Sequence, residues 1–165
     1  MPASRYRFIL LAGSVVLALL GAGARHALAQ QQQIVLSNTR GLDFGRFVAG
    51  TGGTIILSPA GLRSRTGGVV LLNSPNAGQA AFNASRSSNG GANKAVIISL
   101  PANGASRLSS GANSMAVNNF VATPASLTSI PNGGTSMSVG ATLSVAPNQA
   151  PGNYSGSFSL IVNYQ

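Results

Sequence analysis

Side chains able to carry out acid–base or nucleophilic chemistry are few in this sequence. It contains one acidic residue, Asp43, one lysine, Lys94, and one histidine, His26, and it has no cysteine. General acid–base catalysis requires a histidine or a carboxylate whose pKa is tuned by a partner, and zinc or iron sites require several Cys, His or carboxylate ligands. One aspartate and one lysine cannot build such a site. The sequence therefore predicts a protein that is not an enzyme, with no catalytic, metal-binding or cofactor-binding residues.

A serine–lysine dyad is the one nucleophilic arrangement that these residues leave open. Lys94, however, follows a polar run, residues 87–93, that reads Ser-Ser-Asn-Gly-Gly-Ala-Asn. Because Ser, Asn and Gly are typical of turns and loops, we expect Lys94 to lie in an exposed loop.

The first 29 residues are predicted to be a secretory signal peptide. Arg5 and Arg7 form a basic region, residues 8–20 form an apolar region, and residues 27–29 read Ala-Leu-Ala, which matches a cleavage signal. The apolar run is shorter than the roughly 20 residues that a membrane span needs. We therefore expect export by a general secretory route to the periplasm, cell surface or medium, without membrane insertion after cleavage. The mature chain would begin at Gln30.

Basic side chains are the other groups that could bind a partner. Arg63 and Arg65 are the best candidates for contacts with an acidic ligand, because strand alternation would point both to one face. The basic residues are widely spaced and are not interleaved with aromatic residues, which favours isolated surface charges and disfavours nucleic acid as a partner. The mature chain has seven basic residues against the single Asp43: Arg40, Arg46, Arg63, Arg65, Arg86, Lys94 and Arg107.

Hydrophobic periodicity predicts an all-β fold. Short segments with alternating or β-branched apolar residues recur between Gly, Pro and Asn turns, at the spacing typical of a sandwich, and no amphipathic helical pattern of useful length appears. We predict an immunoglobulin-like or pilin-like antiparallel β-sandwich of about eight to ten strands. Residues 38–165 are predicted to form one domain, preceded by an N-terminal extension of residues 30–37. The predicted strands are residues 42–48, 53–58, 68–73, 80–85, 95–101, 106–110, 115–121, 127–130, 135–145 and 154–164.

The clearest alternation lies in residues 154–164. Ser155, Ser157 and Ser159 alternate with larger or apolar residues, which is the signature of a half-buried strand about eleven residues long. The apolar face is predicted to comprise Tyr154, Gly156, Phe158, Leu160, Val162 and Tyr164.

The second half of the chain lacks charge. From Leu108 onward no side chain is charged. Soluble β-proteins usually protect exposed edge strands with charged residues or proline. The two longest predicted strands, residues 135–145 and 154–164, have no charged residue. Either they lie inside a sheet or a partner strand covers their edges.

Short motifs spread over the mature chain are similar to those of a known family. They are residues 42–45 (Leu-Asp-Phe-Gly), 53–54 (Gly-Thr), 58–63 (Ser-Pro-Ala-Gly-Leu-Arg), 67–69 (Gly-Gly-Val), 139–143 (Val-Gly-Ala-Thr-Leu) and 150–154 (Ala-Pro-Gly-Asn-Tyr). Together they resemble the bacterial secreted family catalogued as domain of unknown function 4402. This resemblance implies export and an all-β domain, and it implies no activity.

The end of the chain is also similar to the last strand of chaperone–usher pilins and spore-coat-U subunits. Those pilins typically carry a glycine fourteen residues from the end and a penultimate tyrosine, the positions of Gly152 and Tyr164 here. The resemblance implies a groove left by a missing strand, which a periplasmic chaperone and then the extension of the next subunit fill. Applied to this sequence, the resemblance implies that the groove is lined by Phe158, Leu160, Val162 and Tyr164. It implies that the donor segment presents Ile34 and Leu36.

Two functions stay open at this point. The protein is either a structural or adhesive subunit of a surface fibre or coat that joins itself or homologous subunits by strand donation, or a self-contained secreted or periplasmic β-sandwich that binds a polysaccharide or a protein. The first predicts an incomplete sheet. The second predicts that Ile34 and Leu36 pack on their own domain.

Overall fold

The computed structural model of the protein describes residues 33–86 and 94–165, and within these ranges its regular elements are antiparallel β-strands. The prediction of an all-β fold of the β-sandwich class is thereby confirmed. The predicted signal peptide and the polar run at residues 87–93 lie outside the described residues. The strands are β1 (Ile34–Arg40), β2 (Phe47–Val48), β3 (Gly53–Leu57), β4 (Arg63–Gly67), β5 (Val70–Leu71), β6 (Ala80–Arg86), β7 (Val96–Ser99), β8 (Ser106–Ser110), β9 (Asn113–Thr123), β10 (Ser126–Leu127), β11 (Thr135–Val145) and β12 (Ile161–Tyr164).

No helix in the described part of the chain is long and apolar enough to cross a membrane.

In the described part of the chain, the main sheet has seven strands and is built around β11. One edge of β11 pairs first with β6, through residues 135–139, and then with β3, through residues 141–145. The other edge pairs with β9, which in turn pairs with β8. β1 extends the sheet beyond β6, and β4 extends it beyond β3. This central position explains why apolar residues occur at every second position of β11. Five of its side chains are buried in the core: Met137, Val139, Ala141, Leu143 and Val145.

Gly140 lies where β11 changes its partner from β6 to β3. A Cβ atom at this position would overlap the carbonyl oxygen of Leu57 and the backbone of Ser58 and Pro59. The chain leaving β3 therefore passes directly over Gly140, and only a residue without a side chain permits this approach.

Two smaller sheets complete the fold: β10, β7 and β12 form one, and β2 and β5 form the other. The three-stranded sheet packs on the main sheet through an apolar cluster, which we call the β12 cluster. Its fully buried members are Ala84, Val96, Ile130 and Met137. A second cluster around Leu143 fills the other end of the main sheet, between β3, β9 and β11.

The last strand is shorter than predicted. Only Ile161–Tyr164 forms a ladder, with β7, instead of the whole of residues 154–164. The register that pairs Ile161 with Ser99 would place Ser159 opposite Pro101. Because proline has no N–H group, it cannot continue the ladder. Residues 156–160, which precede β12, have no ladder partner within residues 33–86 and 94–165.

Candidate strand-docking site

The side chains of the C-terminal stretch (residues 154–165) alternate as predicted, although its ladder is short. Phe158, Leu160, Val162 and Tyr164 are each half-buried, and the residues between them are exposed. The last three pack on the β12 cluster. The four residues predicted to line a groove therefore form one continuous inner face.

Phe158 is held by two aromatic residues that the sequence did not single out. Its ring centroid lies 5.0 Å from that of Phe120 and 6.1 Å from that of Phe82, in an edge-to-face arrangement with the latter. Such aromatic pairs stabilise a fold by more than the burial of their apolar area alone would give. Phe82 and Phe120 lie in β6 and β9, so the start of the inner face is fixed to the main sheet.

Among the described residues, the backbone of the C-terminal stretch has one edge without a strand partner. In an antiparallel pair, residues that exchange hydrogen bonds alternate with residues whose N–H and C=O groups point to the opposite edge. The Gln165 amide donates to the Ala95 carbonyl at 2.9 Å, and Ser155 exchanges two hydrogen bonds with Ser109 of β8. Odd-numbered residues therefore face β7 and β8, and the backbone groups of even-numbered residues face the other edge. No strand within residues 33–86 and 94–165 pairs with that edge of β12.

A cavity of about 760 Å³ lies beside the beginning of the C-terminal stretch. Its walls are residues 42–47, 72–76 and 152–156, and the core side chains of Met115 and Leu143 line its floor. A cavity with an apolar floor beside an extended segment can accept an apolar side chain of an added strand or a small ligand.

Ile34 and Leu36, the predicted donor side chains, lie in β1 and pack on the β12 cluster of their own chain. β1 pairs with β6 along its whole length, with a bulge between Asn38 and Arg40. The boundary predicted between residues 37 and 38 therefore falls inside a strand, because pairing with β6 continues through it. The candidate donor residues and three of the groove residues thus meet within one copy.

Arg63 and Arg65, the candidates for acidic-ligand contacts, lie in β4. The Arg63 guanidinium donates to the carbonyl oxygens of Phe44, at 3.0 Å, and of Leu72, so it joins two walls of the cavity. Arg65 is exposed and donates to the Gly67 carbonyl at 3.2 Å. Arg63 thus uses its guanidinium within the fold.

The two arginines also protect an edge of the main sheet. Arg63 is paired with Leu57 and Arg65 with Ile55, and both partners are buried. Since directly opposed residues share a face, the arginines lie on the core side of the edge strand β4. Inward-pointing charges hinder pairing with another chain. The edge of the C-terminal stretch has no charged residue of its own.

The remaining candidates for chemistry have structural contacts. Asp43 accepts a hydrogen bond from the Gly45 amide at 2.7 Å and closes a turn at the cavity. The Lys94 ammonium lies 5.9 Å from the ring centroid of Tyr164, within the range of a cation–π contact. Sequence reasoning missed this contact because it depends on the pairing of β7 with β12.

The fold defines an all-β protein of the sandwich class in which, among the described residues, the outer edge of β12 has no strand partner. A family model described as Domain of unknown function (DUF4402) matches residues 34–164, and the chain belongs to this family. No curated protein and no solved structure matched the chain. The similarity to chaperone–usher pilins is not confirmed by these comparisons and stays a prediction.

Proposed function

We propose that the protein is an exported, non-catalytic structural or adhesive subunit of a surface fibre or coat, and that its copies join by β-strand donation. The observation that carries this proposal is that Ile34 and Leu36 pack on the same apolar cluster as Leu160, Val162 and Tyr164, a contact that the self-contained sandwich also predicts and that strand donation would form between copies. The side chains of the candidate donor strand and of its acceptor fit together within a single copy. In an assembly, β1 of one copy would occupy the same position in the next copy.

β1 is suited to exchange because few parts of the fold hold it. Among the described strands it pairs with β6 alone, at the edge of the main sheet, and its outward side chain Val35 is 48% exposed. Gly41 follows β1, and among the described residues no atom beyond Gly41 and its two chain neighbours lies within 4 Å of the position that a Cβ atom would take there. The segment that follows β1 is therefore uncrowded at Gly41. When copies exchange an identical element, the same contacts form again between copies, so the free-energy cost of the exchange is low.

The unpaired edge of the C-terminal stretch supports the same proposal. A protein that worked as a monomer would be expected to protect this edge, as Arg63 and Arg65 protect the edge of β4. In a fibre or coat, a neighbouring copy would cover it, and main-chain hydrogen bonds would add to the affinity. A periplasmic chaperone would cover it before assembly.

A second function is favoured by the position of β1 in the single copy. A self-contained secreted or periplasmic β-sandwich would keep β1 in its own sheet, as the described structure does. Its polysaccharide or protein ligand would then bind at the cavity beside residues 152–156. Arg46, which lines that cavity and is exposed, would contact an acidic group of the ligand.

The two functions differ in whether β1 packs in its own copy or in a neighbour. Because the chain has no cysteine, Leu36→Cys and Val162→Cys can be introduced together and joined by a short thiol-specific cross-linker. Strand donation predicts covalent dimers and longer ladders on denaturing gels. The self-contained sandwich predicts an internal link and a monomer band, and that result would overturn strand donation. Val35→Cys with Val162→Cys is the matched control, since Val35 points away from the cluster, and should give neither product.

A further inference from the structure

Two Asn-Gly pairs, Asn103-Gly104 and Asn132-Gly133, occupy the centres of two four-residue turns. Each turn is closed by a hydrogen bond from the amide after the pair to the carbonyl before it, at 3.2 Å and 2.9 Å respectively. All four residues are exposed. Dipeptide type, turn position and exposure therefore do not distinguish the two pairs.

The first pair is held by hydrogen bonds at every reactive group. The Asn103 Oδ1 accepts from the Asn119 amide at 2.8 Å, and its Nδ2 donates to Asn119 Oδ1 at 3.3 Å. The Gly104 amide donates to Asn118 Oδ1 at 2.8 Å. The side chain and the following amide nitrogen are thus fixed in separate bonds.

The second pair has none of these bonds. Within the described ranges, neither the Asn132 side chain nor the Gly133 amide takes part in a hydrogen bond. In the part of the chain that the structure describes, no atom beyond Gly133 and its two chain neighbours lies within 4 Å of the position that a Cβ atom would take at Gly133. Both reactive groups are therefore free to approach each other in water.

We propose that Asn132 is a site of spontaneous deamidation and that Asn103 is protected from it. The deprotonated Gly133 amide nitrogen attacks the Asn132 Cγ atom, forms a five-membered succinimide and releases ammonia. Water then opens either carbonyl of the ring, which yields aspartate or isoaspartate. Glycine favours the attack because it has no Cβ atom to restrict the approach.

The modification would change both charge and backbone at the start of β11. It places a carboxylate in the half of the chain that has no charged side chain. Isoaspartate also adds a methylene group to the main chain just before Thr135, the residue with which the pairing of β11 to β6 begins. We therefore expect modified molecules to melt at a lower temperature. Their net charge should be lower by one unit, because a carboxylate has been added.

The test is a time course on the purified protein at mildly alkaline pH. Peptide mapping would record the mass increase at each Asn-Gly pair, and labelling by an isoaspartyl methyltransferase would identify the linkage. Because several hydrogen bonds must break before Asn103 can react, we expect it to react at least ~10 times more slowly than Asn132. In denaturant, where both turns are lost, the two rates should become similar. A third pair, Asn89-Gly90, lies outside the described residues and would be recorded separately.

Two variants separate the proposal from a chance difference in rate. Gly133→Ala should slow the reaction at Asn132 and leave the fold intact, because open space surrounds the new methyl group. Asn118→Ala removes the acceptor of the Gly104 amide, so it should speed the reaction at Asn103 without changing Asn132. Equal rates at Asn103 and Asn132 in the folded protein, or an intact Asn132 after full reaction in denaturant, would overturn the proposal.

Discussion

The hydroxyl group of Tyr154 donates a hydrogen bond of 2.7 Å to the carbonyl oxygen of Ala150, four residues earlier in the chain. The Gln149 side chain donates to the same hydroxyl at 2.9 Å. The loop that leads into the C-terminal stretch is thereby tied to its first aromatic residue, an arrangement similar to the tyrosine corner of immunoglobulin-like sandwiches. The hydroxyl of Tyr164, in contrast, is buried and has no hydrogen-bond partner among the described residues.

These two hydroxyl groups predict opposite responses to the same substitution. Tyr154→Phe should lower the free energy of unfolding by about 1 kcal/mol, because it removes the bond to Ala150. Tyr164→Phe should leave it unchanged or raise it slightly, because it removes a buried polar group that has no partner. Urea unfolding of the two variants measures the difference. Equal losses would show that the Tyr154 bond does not stabilise the loop.

Gly140→Ala should be among the most damaging small substitutions in the chain. The added methyl group would overlap the backbone that leaves β3, so either β3 or β11 must shift, at a cost of about 2 kcal/mol or more. Gly133→Ala is the control and should change stability by less than about 0.5 kcal/mol. Thermal melting of both proteins, with circular dichroism to check strand content, tests this. A melting temperature equal to that of the control would contradict the close approach at Gly140.

Phe158→Ala should destabilise the protein by roughly 3 kcal/mol, because it leaves a cavity between Phe82 and Phe120. Ile161→Ala, three residues later in the same stretch, should cost less than about 1 kcal/mol, since Ile161 is 54% exposed. Denaturant titration of the pair measures whether the inner face of the C-terminal stretch is packed as described. Similar costs would mean that this face does not form.

Arg65→Val should promote self-association without a large loss of stability. Arg65 donates only to a nearby carbonyl, so its main effect is the charge that it places on the core side of the β4 edge. The control is Arg46→Val, which removes an exposed charge that lies outside the strands of the described structure. Light scattering at increasing protein concentration should show larger particles for Arg65→Val alone. Equal behaviour of the two variants would assign the effect to net charge and not to edge protection.

The inner face of the C-terminal stretch could be predicted from the sequence because side-chain direction follows from the two-residue period of an extended chain. The length of its ladder could not, because it depends on Pro101, which lies two residues after the partner strand β7 and far away in the sequence. The sequence also could not show whether Ile34 and Leu36 pack on their own domain. Apolar and polar residues alternate in the same way in an edge strand and in an extension that leaves the domain.

β4 shows the other limit of the sequence pattern. Residues 63–67 carry no apolar alternation, because Arg63 and Arg65 occupy the two positions that face the core. Without that alternation the segment was not predicted as a strand. Arg63 and Arg65 therefore made β4 hard to predict as a strand, and the same two residues protect its edge.

The central place of β11 has a consequence for the order of folding. β11 begins at residue 135, and β3, β6 and β9 all pair with it across long separations in sequence. Until that segment is present, the earlier residues can form only isolated strand pairs, which are marginally stable in water. Long-range pairing also makes folding slow. The order of its strands alone would therefore keep a growing chain unfolded until nearly all of it has been made.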